Sequence, residues 1–437
     1  MKSRYTDKHL RKIIFIMMAF SLSTLHLVHG QNINYNEYFQ NKGLRIDYYS
    51  TGNSDTTIVS LGRFYEQPYW SGPREKLLDP FMYGDHQVQI WDKEGIKMLF
   101  SKTYSSLYFE WQSTEEAKST WRTFPGSIIV PYPKGKSIIK LLSLTSNNTW
   151  SEQLSVNFDP ENIFISREKS HPFKINKVQE SGNYKEKLDI VFLSEGYTKD
   201  EMQLFNQHVN NFVGRLFTEP PFDKNKDKIN IWSIEVPSQE QGTDIPGDWK
   251  WNNTTFNSEF YTFETDRYLT TSDIQTIHSI ASGVPFDQII ILVNSERYGG
   301  GGIYNFYAIT TAGHPDSFLV LIHEFGHSFG GLADEYFSSE VAFEELHSID
   351  TEPTAPNITS LVDFDSKWKH LLQEGTPIPT PIKDALKYKV GVYEGGGYRS
   401  KGIYRPAYNC YMKELNAKGF CLVCQYSLQQ MIDFYGK

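Results

Sequence analysis

The sequence predicts an α+β, multidomain protein in which an N-terminal β-sandwich is followed by an α/β domain. Three observations carry this prediction: a length of 437 residues, regularly spaced β-prone runs in the first half, and strands alternating with amphipathic helices in the second. A chain of this length favours two domains or one large one. Apolar residues make up 39% and charged residues 22%, which is a globular composition. The net charge of -9 argues against a nucleic-acid partner.

Residues 1–30 have the pattern of a secretory signal peptide. A basic start that includes Lys2 and Arg4 precedes the apolar run Ile13–Val28, and polarity rises sharply at Gln31. We expect this segment to be removed, which makes the mature chain secreted or periplasmic. An uncleaved N-terminal anchor is the alternative, whereas a lipid anchor is not expected because no cysteine lies near the junction. No later stretch is long and apolar enough to span a membrane.

Residues 31–165 are expected to form the β-sandwich. Turn signals such as TGNSD and DKEG separate short β-prone runs, and little helical periodicity interrupts them. We find no catalytic cluster in this part and expect it to be an accessory domain. The predicted strands are Leu44–Ser50, Thr56–Tyr65, His86–Asp92, Gly95–Tyr104, Ser127–Pro133 and Ser137–Leu144.

A polar stretch at residues 166–186 is expected to be a linker, and residues 187–437 an α/β domain. The first helix of that domain opens with Thr198 and Glu201 in the spacing of a capping box. Strands are expected at Lys187–Tyr197, Ile229–Val236, Asp287–Ser295 and the glycine-flanked run Gly299–Thr311, and helices at Thr198–Phe217, Ser272–Ser282 and about Asp316–Phe329.

The last of these helices carries the motif HEFGH, His323 to His327. Positions i and i+4 share one helix face, so both imidazoles can reach one Zn²⁺ with bonds of about 2.0–2.1 Å. Glu324 lies next to the first histidine, where its carboxylate can act on a water bound to the metal without being a ligand itself. It would take the proton of that water as general base and later give it to the leaving amine. This is the HExxH signature of zinc peptidases.

A third metal ligand is expected after the glycine pair that ends this helix. Gly330 and Gly331 suit a helix C-cap, and the chain that bends back there reaches Asp334 directly. A helix, a glycine turn and a third ligand are the arrangement of the metzincins.

The stretch HEFGHSFGGLADEY resembles the active-site segment of the IgA-peptidase metallopeptidases, the igalysins among the metzincins. Similar runs are LRIDYYSTGNSDTTIVSL, YWSGP, FEWQSTEEA and TWRTFPGSIIVPYP in the first half, and LDIVFLSEGYT and RPAYNCYM in the second. They extend the resemblance over nearly the whole mature chain, including the family's N-terminal β-domain. The resemblance implies a metzincin-like α/β zinc-peptidase domain and an exported zinc endopeptidase. The family takes its name from a member that cleaves immunoglobulin A, and that substrate does not transfer by resemblance.

The spacing departs from the common metzincin pattern, which would place the third ligand at Ala333. Alanine cannot bind a metal, so one extra residue in the turn makes Asp334 the expected ligand. Glu335 is the neighbouring alternative. A further alternative is a thermolysin-like site, in which Glu344 or Glu345 on a following helix is the third ligand.

Three further features are expected around the metal, the first of them from the metzincin pattern. A methionine is expected in a tight turn beneath it, and Met412 in RPAYNCYM fits; an ordinary core methionine is the alternative. Tyr408 or Tyr411 is a candidate for stabilising the oxyanion, and Zn²⁺ alone is the alternative. The run GGIYNFYAIT is expected to be the edge strand of the cleft, where an extended peptide can add as another strand, although its glycines also suit a merely flexible entrance.

The only three cysteines, Cys410, Cys421 and Cys424, fall late in the chain. For an exported protein we expect a disulfide from Cys410 to one of the other two, with one thiol left over. A structural metal site is the alternative, and a fourth ligand for it is not evident in the sequence.

These features together predict an exported zinc endopeptidase with one catalytic Zn²⁺. Its partner would be a polypeptide substrate, with no nucleic acid and no membrane span after removal of the signal peptide. The rival interpretation is a non-catalytic surface or carbohydrate-binding protein with a relic metal site. Retention of Glu324 favours the enzyme, because a relic site need not keep the base.

Overall fold

The computed structural model describes residues 33–167, 173–337 and 347–437, and its N-terminal part is β-rich. Two short helices, α1 (Tyr35–Tyr38) and α2 (Leu107–Gln112), accompany seven strands: β1 (Phe39–Gly52), β2 (Thr57–Gln67), β3 (His86–Asp92), β4 (Met98–Tyr104), β5 (Arg122–Pro133), β6 (Ser137–Leu144) and β7 (Trp150–Phe158). They form two antiparallel sheets with the strand orders β2-β1-β5 and β4-β3-β6-β7. The signal-peptide residues 1–30 lie outside the described residues.

The two sheets share one hydrophobic core. Leu44 and Ile46 of β1 and Val88 and Ile90 of β3 belong to the same cluster, and each is at most 1% exposed. Residues two apart point to the same face of a strand, so each sheet turns one apolar face to the other, as in a β-sandwich. Each of the six predicted strands overlaps one of β1 to β6. Strand β7 was not predicted, because it lies at the edge of its sheet and most of its residues remain accessible to solvent.

The rest of the chain is built on a six-stranded mixed sheet. Its strands are β8 (Lys174–Gln179), β9 (Leu188–Glu195), β10 (Ile229–Glu235), β11 (Gln288–Val293), β12 (Gly300–Ile303) and β13 (Tyr307–Thr311), in the order β12-β13-β11-β9-β10-β8. The four central strands are parallel, whereas β12 and β8 are antiparallel to their neighbours at the two edges. The helices are α3 (Met202–Leu216), α4 (Ile274–Ala281), α5 (Ser317–Gly330) and α6 (Leu422–Tyr435), and a hairpin joins β14 (Tyr393–Gly396) to β15 (Arg399–Arg405).

Helices cover both faces of this sheet. Ile190 and Phe192 of β9 pack in one core cluster with apolar residues of α3, α5 and α6. Val191 and Leu193, which point to the other face, pack in a second cluster with α4. Strand β9 is buried along its whole length, which explains its continuous apolar sequence. The described chain is thus α+β in several parts, as the sequence predicted.

The helix ends follow the residues that the sequence offers. Thr198 and Glu201 form the predicted capping box, after which one 3₁₀ turn leads into α3. At the other end of the sheet, α5 ends at Gly330, and Gly331 takes the left-handed conformation with φ of 61°. Glycine adopts this conformation without a steric penalty, so the predicted C-cap is confirmed.

Two sequence predictions differ from the structure. Strand β8 lies inside residues 166–186, the expected linker, and pairs with β10; its polar composition reflects its place at the sheet edge. The run Gly299–Thr311, predicted as one strand, is a hairpin of β12 and β13. Asn305 has φ of 51° in the connecting turn, a conformation that asparagine tolerates better than most residues.

The β-rich part and the mixed-sheet part contact each other beside this hairpin. Ser105 N donates to Tyr304 O over 2.9 Å, and Asn305 Nδ2 donates to Thr103 O over 2.8 Å. The hydroxyl of Tyr268 donates to the carboxylate of Glu110 on α2. Within the described ranges, no helix is both long and apolar enough to cross a membrane.

Candidate metal centre

Helix α5 places the two histidines of the HExxH motif side by side. His323 Nε2 and His327 Nε2 lie 3.2 Å apart, because one helical turn separates the residues. Two nitrogen or oxygen atoms bound at about 2.05 Å to one tetrahedral metal lie about 3.3–3.4 Å apart. The pair therefore has the separation that a shared metal ion requires.

Asp334 completes a group of three candidate ligands. Its Oδ1 lies 3.1 Å from His323 Nε2 and 3.4 Å from His327 Nε2. This oxygen is buried and has no hydrogen-bond partner in the described chain, although a carboxylate oxygen in that position needs a proton or a cation. The three atoms converge on one point, as expected for Asp334 after the Gly331 turn. The residues therefore fit a metal ion with nitrogen and oxygen ligands.

The alternative third ligands do not converge here. Glu335 points away from the histidines, and its Oε1 accepts hydrogen bonds from Asn357 Nδ2 and Cys424 Sγ. Glu344 and Glu345, the candidates for a thermolysin-like site, lie outside the described residues.

Each of the three candidate ligands is oriented by a hydrogen bond at its other polar side-chain atom. The Nδ1–H of His323 donates to Tyr411 O over 2.9 Å, and that of His327 donates to Leu332 O over 2.6 Å. With Nδ1 protonated, each Nε2 keeps its lone pair for the metal. The hydroxyl of Tyr398 donates to Asp334 Oδ2, which orients Oδ1 toward the histidines.

Met412 lies directly under the helix of the two histidines. It is fully buried, and its Sδ is 2.7 Å from the point where a side chain on Gly326 would begin. Only glycine lets the methionine approach this closely. Met412 O also accepts a hydrogen bond from Glu335 N over 2.7 Å. The Met412 turn therefore contacts the Asp334–Glu335 segment as well as helix α5.

Of the two tyrosines proposed for the oxyanion, Tyr411 lines the same cleft as Glu324, whereas Tyr408 is not among its lining residues. The Tyr411 hydroxyl lies 3.4 Å from both carboxylate oxygens of Glu219, and its backbone carbonyl is the part that contacts His323. Tyr408 is 48% exposed, and Lys413 lies over its ring. Tyr398 was not predicted as part of the site, because only a long-range contact brings it to Asp334.

The charges of the ligand group depend on one another. Burial opposes protonation of His327, but the negative charge of Asp334 outweighs it and raises the pKa of His327 to about 9. Burial and Asp334 oppose each other in the same way at His323, and its pKa is also raised. Burial favours the neutral form of Asp334, yet the two imidazoles hold its pKa well below the usual range. Burial raises the pKa of Glu324, and the nearby histidines oppose this effect.

Binding of Zn²⁺ to the metal-stripped protein is expected to release protons at pH 7 and to weaken as the pH falls. At pH 7 an imidazole with a pKa of about 9 carries a proton, and a metal binds only the neutral ring. Below that pKa each proton to be displaced lowers the apparent affinity about tenfold per pH unit. Calorimetric titrations in buffers with different ionisation heats count the protons. The titration uses Cys410→Ser, so that metal bound by the cysteine thiols adds no protons to the count. Proton release that does not decline above pH 9 in this variant would contradict the assignment to His327.

The three cysteines form a second cluster, separate from the histidine group. All three are free thiols in the structure, which therefore does not contain the expected disulfide. Cys410 Sγ and Cys424 Sγ lie 3.7 Å apart, well beyond the bonded distance of about 2.05 Å. Glu335 joins this cluster. The sequence did not show this residue as a partner, since it precedes the cysteines by a long stretch of chain.

The ligand group opens into a large cleft between the two parts of the chain. The cleft has a volume of about 1470 Å³, above the roughly 300–1,000 Å³ of pockets for small molecules. Glu324 and Arg267 line it on one side, and Tyr83 and Glu110 of the β-rich part line it on the other. Burial raises the pKa of Glu110 to about 7. No site residue was predicted in the β-rich part, because Glu110 reaches the cleft only through domain packing.

Comparison with protein-family models gives two matches. The model described as IgA Peptidase M64 matches residues 176–389 and 383–432. The model described as Peptidase M64 N-terminus matches residues 34–155. A search of curated proteins found no match. The chain therefore belongs to the IgA peptidase M64 family, carries that family's N-terminal domain, and is a peptidase that acts on polypeptides.

Proposed function

We propose that this peptidase is a zinc-dependent endopeptidase of the metzincin type that is exported and cuts extracellular or periplasmic polypeptides. The observation that carries the proposal is the convergence of His323, His327 and Asp334 on one point beside Glu324. Two imidazoles and one carboxylate are a ligand set that suits Zn²⁺ and leaves a coordination position for catalysis. When bound, Zn²⁺ supplies Lewis-acid polarisation and water activation.

Glu324 is the proton carrier in this proposal. It follows His323 on α5, lines the cleft, and does not belong to the ligand group. Its carboxylate takes a proton from the attacking water and delivers it to the amine that leaves when the peptide bond breaks. Burial raises the pKa of Glu324, which makes its carboxylate a stronger base.

The open cleft suits a polypeptide that passes through the site. An extended substrate would lie between the β-rich part and the edge of the mixed sheet, so both parts would position it. The edge strand β12 is already paired at its start: Leu269 N donates to Gly300 O over 3.2 Å, and Gly300 N donates to Arg267 O over 3.4 Å. A peptide that added as a strand at Gly300 would therefore have to displace the Arg267–Leu269 segment.

Cleavage of an unstructured protein tests the proposal. Zinc-loaded enzyme should produce internal cuts, and a chelator should stop them until Zn²⁺ is restored. Mass spectrometry of a digested peptide library then gives the cut sites and the side chains preferred beside them. Cleavage that persists after complete removal of metal would exclude a zinc peptidase. Metal binding without cleavage of any peptide would favour the relic-site interpretation.

Export rests on the sequence of residues 1–30, and it has a separate test. The mature protein should begin near Gln31, because polarity rises there after the apolar run. Mass analysis of the protein recovered outside the cytoplasm gives its N-terminus. An intact Met1 on membrane-bound protein would indicate an anchor instead.

A further inference from the structure

All three cysteines of the chain surround one buried carboxylate. The side chains of Glu335, Cys410, Cys421 and Cys424 each offer a ligand atom, and these four atoms all lie within 4.8 Å of one another. Glu335, Cys410 and Cys424 are completely buried, and Cys421 is half-buried. The cluster lies outside the proposed catalytic centre, whose ligands are His323, His327 and Asp334.

The geometry points to a second, structural zinc site in which these four residues are the ligands. Two sulfurs bound to tetrahedral zinc at about 2.3 Å lie about 3.8 Å apart, and Cys410 Sγ and Cys424 Sγ are separated by 3.7 Å. Cys424 Sγ is 3.2 Å from Glu335 Oε1. Three thiolates and one carboxylate complete a four-ligand shell, and thiolates select zinc over the hard cations. This site does not depend on the proposed catalytic function.

The buried carboxylate of Glu335 is incompletely compensated by the protein. Its Oε2 has no hydrogen-bond partner in the described part of the chain. Arg405, whose charge acts on it, gives guanidinium hydrogens to the backbone carbonyls of Glu394 and Gly395. A buried acceptor without a partner costs free energy, and a cation held between Glu335 and the sulfurs would remove that cost.

A metal at this position would cross-link three segments: the one after Asp334, the Met412 turn and the start of α6. Glu335 follows Asp334 directly, and Cys410 precedes Met412 by two residues. Cys421 is the N-cap residue of α6 and Cys424 lies in its first turn. The site would thus connect the Asp334–Glu335 segment and the Met412 turn to α6.

Metal counting is the first arm of the test. The zinc-loaded mature chain, purified under reducing conditions, should hold two zinc ions, one for each ligand group. His323→Ala should hold one, and so should Cys410→Ser. If His323→Ala keeps all its zinc while Cys410→Ser loses one ion, the catalytic proposal fails and this one stands. One zinc in the parent that Cys410→Ser retains would overturn this proposal alone, as would a disulfide in the metal-loaded parent.

Cobalt spectroscopy is the second arm and needs no cysteine variant that might misfold. The chain has only three cysteines, so a thiolate-to-Co²⁺ charge-transfer band in the near ultraviolet can arise only from this cluster. His323→Ala loaded with Co²⁺ should show the band at full intensity. Glu335→Gln keeps the thiols and the side-chain shape but should bind Co²⁺ more weakly. The control is Glu414→Gln, because Glu414 lines the cleft and does not belong to the cysteine cluster; it should match the parent. No band in Co²⁺-loaded parent, or equal affinity in Glu335→Gln, would overturn the second site.

Discussion

Glu324→Gln is expected to lower the turnover by roughly 10²–10⁴-fold and to leave the metal content of the chain unchanged. The carboxylate is the only group of the HExxH helix in the cleft that is ionisable and outside the ligand set of His323, His327 and Asp334. The amide keeps the shape of the side chain but cannot take a proton from water. Values of kcat on a peptide with a mapped cut site, together with zinc analysis, measure both effects.

The control is Glu414→Gln, which removes a carboxylate from the rim of the same cleft. Its side chain is 40% exposed and pairs with Lys413, so its loss should change kcat little. Equal turnover in the parent and Glu324→Gln would reject Glu324 as the base. Loss of zinc from Glu324→Gln would instead indicate that the side chain supports the ligand group.

The parts of the site that the sequence predicted are local. His323, Glu324 and His327 follow from helical periodicity, and a five-residue motif fixes their relative positions. Asp334 could be inferred because a glycine C-cap reverses the chain just before it. The strands of the first half were recognisable for the same reason, since their alternating apolar residues and turn signals are short-range features.

The parts that sequence reasoning missed depend on contacts between distant residues. Tyr398 holds Asp334 across a hairpin, and Glu335 meets Cys410 and Cys424 although many residues separate them. No spacing rule connects such residues. Strand β8 was missed because an edge strand with one solvated face is polar enough to resemble a linker.

Asp334→Ala is expected to lose one metal ion per chain and the peptidase activity with it. Asp334 supplies the only carboxylate oxygen of its ligand group, and two histidines alone would hold Zn²⁺ far less well. Removing a partner behind a ligand costs about 10–100-fold in metal affinity, so removing the ligand itself should cost more. Tyr398→Phe is the matched comparison, because it removes one hydrogen bond to Asp334 Oδ2. Its metal affinity should fall by only about 10–100-fold.

Zinc content is measured after dialysis against a graded chelator series. The parent should retain the most zinc, Tyr398→Phe less, and Asp334→Ala the least. Because Glu335 belongs to the cysteine cluster, the lost ion must also be identified. In Co²⁺-loaded Asp334→Ala the thiolate band should remain, since its sulfur ligands are intact, while Glu335→Ala should weaken that band and keep the histidine-bound metal. Retention of the histidine-bound metal by Asp334→Ala, with its loss in Glu344→Ala or Glu345→Ala, would reject the glycine-turn ligand. The protein would then be a zinc peptidase with a two-helix site, because the third ligand would come from beyond the turn.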